Sequence, residues 1–71
     1  MTHNQWYEIF KTKAAGYPVA ACQFAIADCH RTLQMICPDN CAAESDYSVK
    51  LWAEIDAMRD RLAYLESRRA A

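Results

Sequence analysis

The sequence predicts an all-α protein, built as an antiparallel helical hairpin that follows a short N-terminal helix. Three observations support this fold class. The chain has one glycine and two prolines in 71 residues, and its many Ala, Leu, Glu, Arg and Met residues favour helix over sheet. Two segments repeat apolar residues at alternating gaps of three and four, which is typical of helices that pack on one another. Turn-forming residues separate these segments.

The first helix is expected over about residues 4–15. Thr2 or Asn4 can cap its start, because a side-chain oxygen accepts a hydrogen bond from a free backbone N–H there. Three apolar side chains recur at helical spacing on one side: Trp6, Ile9 and Phe10. A left-handed Gly16 would end the helix, and Pro18 would then be the first residue of the next one. His3 falls in a start that we expect to be disordered.

The second helix is expected over about residues 18–36. Its apolar residues form an unbroken seam: Val19, Cys22, Ile26, Cys29, Leu33 and Ile36. Pro38 then disfavours helical dihedrals at Cys37, which predicts a turn over residues 37–45.

The third helix is expected over about residues 46–68, capped by Ser45 or Asp46. It carries a second seam: Leu51, Ile55, Met58, Leu62 and Leu65. Its other face is charged, and we expect that face to be exposed to solvent: Lys50, Glu54, Asp56, Asp60, Arg61 and Glu66. Facing seams place Ile36 near Leu51 and Val19 near Leu65.

Two seams bury too little apolar surface to offset the entropy of ordering so many residues, by order-of-magnitude reckoning. Further apolar side chains must therefore be covered. The first helix could fold back to complete a three-helix bundle. We favour instead a homodimer in which two hairpins form a four-helix-type bundle, because symmetric dimers commonly complete the cores of small chains.

The four cysteines raise the question of a metal site. Cys22 and Cys29 are seven residues apart on one helix, a rise of about 10.5 Å, so they cannot share a zinc ion and are predicted to be core residues. Cys37 and Cys41 flank the predicted turn and could approach each other. A metal site from these two with a third ligand such as His30, or from two copies of the chain, stays an open alternative, as does a disulfide between them. Reduced thiols and no cofactor are the favoured interpretation.

Neither catalysis nor nucleic-acid binding is favoured. Cys29 and His30 are neighbours that point to different helix faces, the acids lie on outer helix faces, and one glycine leaves no phosphate-cradling loop. The formal net charge of −1 gives no general attraction to phosphates. A weaker alternative is a nucleic-acid regulator that uses dispersed basic residues: Lys11, Lys13, Arg31, Arg68 and Arg69.

The sequence thus predicts one helical domain over residues 1–71 that binds another protein as an adaptor or inhibitor. Small proteins of phages and mobile elements often have this build, which is an analogy of size and fold class. The candidate partner and dimer interface collects the aromatic and aliphatic residues outside the seams: Trp6, Ile9, Phe10, Tyr17, Phe24, Trp52 and Tyr64. Alternatively, the aromatic residues of the first helix cover the chain's own core. No secretion signal or membrane span is visible, so we expect a complete cytoplasmic product.

Overall fold

Three helices make up the part of the chain that the computed structural model describes, residues 1–36 and 46–70. Helix α1 spans His3–Ala14, α2 spans Val19–Ile36 and α3 spans Asp46–Ala70. The predicted all-helical class is therefore confirmed. Among these described helices, none combines the length and the apolar character that crossing a membrane requires.

A capping box starts α1. The Thr2 hydroxyl accepts a hydrogen bond from the Gln5 backbone N–H at 3.2 Å, and the Gln5 side-chain oxygen accepts one from the Thr2 N–H at 2.8 Å. Each side chain thereby satisfies a backbone donor that the first helical turn leaves free. The prediction of a disordered start at His3 is wrong, because this box holds His3 as the first helical residue.

The turn between α1 and α2 does not use a left-handed glycine. Ala15 has right-handed helical angles, and the Tyr17 N–H donates to the Ala14 carbonyl at 2.9 Å. Gly16 lies outside the left-handed region, so that prediction is wrong: short right-handed turns satisfy the final carbonyls of α1 instead. The Pro18 carbonyl accepts from the Cys22 N–H at 3.2 Å, which places the proline immediately before α2 rather than inside it.

Helices α2 and α3 pack side by side in opposite chain directions. Near one end Leu33 shares a buried cluster with Leu51, and further along Cys22 packs against Met58. Six seam residues are buried: Cys22, Cys29, Leu33, Leu51, Ile55 and Met58. Four more are partly buried: Val19, Ile26, Leu62 and Leu65. The side chain of Ile36 and the whole of the predicted turn lie outside the described residues.

Helix α1 packs on a different side of α3. Phe10 shares a buried cluster with Ala53 and Ala57, and Trp6 packs against it. Ala53 is two residues from Ile55, which faces α2, and two residues correspond to about 200° around a helix axis. Helices α1 and α2 therefore lie on nearly opposite sides of α3.

This arrangement makes α3 the central helix of a thin layer. The molecule measures 40 × 22 × 15 Å, and its smallest dimension is close to the diameter of one helix with its side chains, about 10–12 Å. Helices α1 and α2 come together near their connecting turn, where Ala14 and Cys22 both pack on Met58. Most of the α2 surface that faces away from α3 is not covered by α1.

Candidate interaction surfaces

The charged face of α3, predicted to be exposed to solvent, is partly the docking surface of α1. The His3 ring nitrogen Nε2 lies 2.8 Å from the Asp56 carboxylate, and the Tyr7 hydroxyl donates a hydrogen bond to Asp60. Asp60 and Glu66 are exposed as predicted, but the contact with α1 was not predicted. That contact combines small residues of α3 with these polar pairs, so the sequence shows no apolar stripe for it. The two carboxylates hold α1 in place.

The hydrogen bond to Asp60 changes the acidity of Tyr7. Ionised Tyr7 could no longer donate to the carboxylate and would be repelled by its charge, so the Asp60 contact, together with partial burial, raises the pKa of Tyr7 to about 12 from its ordinary 10.0. Tyr7 therefore stays a neutral hydrogen-bond donor at physiological pH.

A shallow cleft of about 270 Å³ opens beside this hydrogen bond, between α1 and α3. Its lining is mixed: Tyr7, Lys11, Ala14, Ala15, Ala57, Asp60, Arg61 and Tyr64. Small-molecule sites occupy about 300–1,000 Å³ and enclose most of the ligand. This cleft falls just below that range and is open along one side, so it suits an inserted side chain better than a small-molecule substrate.

The aromatic residues of α1 pack largely on the chain itself. Phe10 is only 5% exposed, so it is not available to a partner, contrary to its predicted place in the interface. Trp6 stacks on Phe10 with ring centroids 5.9 Å apart, and the Lys50 ammonium lies 5.3 Å from the Trp6 ring centre. The Trp6 indole N–H is buried without a hydrogen-bond partner among the described residues. Tyr17 packs partly buried at the end of the core, while Ile9 is exposed.

Trp52 lies on the side of α3 between the side that packs on α1 and the side that packs on α2. It exposes 46% of its surface, and the His30 ring of α2 meets it edge-on with centroids 5.9 Å apart. We call Trp52 and His30 together the Trp52 patch. An indole held by a neighbouring ring is an exposed aromatic group whose freedom is already restricted, which lowers the entropy cost of binding.

Tyr64 is half exposed near the end of α3. The Arg61 and Arg68 guanidinium groups lie 5.3 Å and 5.6 Å from its ring centre, and Arg68 also donates to its hydroxyl at 3.1 Å. These contacts satisfy the polar atom of Tyr64 within its own helix.

Among the described residues, the large hydrophobic side chains with the highest exposed fractions lie on α2. Phe24 is 73% exposed and Met35 is 77% exposed. The sequence pattern predicted an interface role for Phe24 but not for Met35. A signal was available: the two residues are eleven apart, which brings them to the same face of a helix after about three turns.

The buried cysteines are unpaired thiols. The Cys29 thiol donates to the Glu54 carboxylate, with sulfur and oxygen 2.8 Å apart. Burial and then the Glu54 carboxylate raise the pKa of Cys29 to about 12. Burial also raises the pKa of Cys22, although Arg61 partly opposes this. Neither thiol therefore has the thiolate character of a nucleophile.

The proposed metal alternative rests on Cys37 and Cys41, which lie outside the described residues. Within the described part of the chain, His, Cys, Asp and Glu side chains form no group of three or more that could hold a metal ion. His30, the suggested third ligand, contacts Trp52.

The sites above thus consist of exposed apolar and aromatic groups on an all-helical chain. Comparison with protein-family models, with curated proteins and with solved structures finds no match.

Proposed function

We propose that this chain is a small, non-catalytic interaction module that binds another protein through the Trp52 patch and modulates it. The observation that carries the proposal is the exposure of Trp52, at 46%, beside the buried Leu51 and Ala53 of the same helix. Tryptophan is enriched among the residues that dominate protein interfaces.

The surroundings of Trp52 also support binding. Arg59 lies seven residues further along α3, two turns away on the same side, and it is exposed. His30 flanks the indole from α2. An apolar anchor with cationic or polar groups at its edge is the usual anatomy of a binding patch.

Homodimerisation and a cytoplasmic location are further parts of this proposal. Phe24 and Met35, the exposed large apolar side chains of α2, support homodimerisation. The cytoplasmic location stays a prediction from the sequence.

The test compares three tagged forms of the full chain in affinity capture from a lysate of its own host, with quantitative mass spectrometry. The forms are wild type, Trp52→Ala and the matched control Tyr47→Ala. Tyr47 is a similarly exposed aromatic residue of α3, about 140° around the helix from Trp52.

We expect a protein that wild type and Tyr47→Ala retain and Trp52→Ala loses, with affinity lowered on the order of 30-fold for the loss of a hot-spot side chain. Retention of the same proteins at equal levels by all three forms, or an equal loss from both variants, would contradict the proposed patch.

A further inference from the structure

Helix α2 has a second regular face on the side away from α3. Phe24, Asp28, Arg31 and Met35 follow one another at gaps of four, three and four, so they line one side of the helix. We call these four residues the outer stripe. Phe24 and Met35 each lie two residues after a buried seam residue, about 200° round the helix, and all four are exposed.

Two of the four residues of the outer stripe, Phe24 and Met35, are large apolar side chains that are exposed to water. Asp28 and Arg31 are the only Asp, Glu, Lys or Arg residues of α2, and the exposed Ala20 and Ala27 flank them. A helix that is apolar on both sides is normally covered on both sides. Helix α3 covers only one side of α2.

The order of the outer stripe is self-complementary. The sequence reads apolar, acidic, basic, apolar about a midpoint between Asp28 and Arg31. A two-fold axis through that midpoint, perpendicular to the helix, places Phe24 of one copy opposite Met35 of a second copy. The same operation places Asp28 opposite the second copy's Arg31. Both pairings then occur twice, which is the defining property of an isologous interface.

We propose that two copies of this chain form a homodimer by packing their outer stripes antiparallel. The Phe24 ring meets the second copy's Met35 sulfur, a favourable aromatic contact, and two Asp28–Arg31 ion pairs fix the register. Neither charged side chain has an ion-pair partner within the described part of the chain. Ala20 and Ala27 are small enough to let the two helices approach closely. This inference names the surface for the homodimer in the proposed function and is independent of the Trp52 patch.

A contact made by one helix from each copy is small, so we expect a dissociation constant in the micromolar range. Sedimentation equilibrium of the full chain from about 1 µM to about 1 mM covers this range. Wild type is expected to shift from monomer to dimer. Monomer throughout would overturn the proposal.

Charge exchange tests the antiparallel register. Asp28→Arg alone and Arg31→Asp alone each set like charges opposite one another at both pairs, so each variant should weaken the dimer at least tenfold. The double variant restores both pairs with their signs exchanged and should dimerise like wild type. A mixture of the two single variants should form a heterodimer, because every charge then meets an opposite one. Unchanged dimerisation of the single variants, or a double variant as weak as they are, would overturn this register.

All four positions of the outer stripe are exposed, so circular dichroism should show unchanged helicity in each variant. Measuring whether Asp28→Arg still captures the protein partner distinguishes the outer-stripe homodimer from the proposed function of the Trp52 patch. Loss of the dimer with capture retained supports the outer stripe independently of the Trp52 patch, whereas loss of capture in Trp52→Ala with the dimer intact supports the patch independently of the stripe.

Discussion

Ile55→Ala should remove a large part of the stability of the fold. Ile55 has no exposed surface and packs with Cys29, Leu33 and Leu51 between α2 and α3. Truncation of a fully buried isoleucine to alanine costs about 2–5 kcal/mol, part of it for the cavity left behind. A chain of this length is expected to have a free energy of unfolding of about 4–10 kcal/mol. The variant should therefore lose roughly half of its stability.

Thermal unfolding followed by circular dichroism measures this loss. For a domain of this size each kcal/mol shifts the Tm by about 4–8 °C, so a loss near 3 kcal/mol should lower the Tm by about 12–24 °C. Ile55→Val removes one methyl group and should cost about 1 kcal/mol. All samples need one protein concentration, because dimerisation makes the Tm depend on concentration.

Ile9→Ala is the matched control, since it truncates the same side chain at a position that is 43% exposed. Its expected cost is below about 1 kcal/mol. If Ile55→Ala and Ile9→Ala had equal effects, or if Ile55→Ala unfolded within a few degrees of wild type, the packing of α2 on α3 at this position would be wrong.

Two further predictions follow from the pKa shifts. The pKa of Tyr7 is raised in the folded chain, so its hydrogen bond to Asp60 stabilises the fold fully below about pH 10, and this stabilisation is lost as the pH rises towards 12. The free energies of unfolding in urea of wild type and Tyr7→Phe should therefore differ less at pH 11 than at pH 8. A difference that does not change with pH would contradict the shift. The pKa of Cys29 is also raised, so iodoacetamide at pH 8 should modify Cys29 and the buried Cys22 in urea but scarcely at all in the folded protein. Peptide mapping measures the modification of each cysteine. Equal rates of modification in urea and in the folded protein would show that the thiols are accessible.

The packing of α2 on α3 could be expected from the sequence because its signal lies in large aliphatic side chains. Leu33, Leu51 and Ile55 have one low-energy environment, a shared apolar interface, and their alternating gaps identify the helix face. Cys22 and Cys29 fit the same pattern because a thiol behaves as a small apolar group when buried.

The position of α1 could not be expected in the same way. Its contact with α3 uses Ala53 and Ala57, whose small side chains carry little apolar signal, together with the carboxylates of Asp56 and Asp60, which are typical of solvent-facing helix surfaces. Polar side chains become contacts only when matching donors such as His3 and Tyr7 are brought opposite them, and periodicity within one helix contains no information about those donors.

The outer stripe was missed for a related reason. The seam explains most of the apolar residues of α2, so the residues on the opposite side of the helix do not stand out as a second pattern. The spacing of eleven residues places Phe24 and Met35 on one face of α2, but only the structure shows that both side chains are exposed there.

The central position of α3 has a consequence for how the chain folds during its synthesis on the ribosome. Helices α1 and α2 leave the exit tunnel first, and each finds most of its apolar partners on the segment that is synthesised after both. Until that segment emerges, water can reach the apolar side chains that α3 later buries, among them Phe10, Cys22 and Leu33. Nascent chains stalled before residue 46 should therefore be protease-sensitive and bound by chaperones, and protection should arise late and together for the whole molecule.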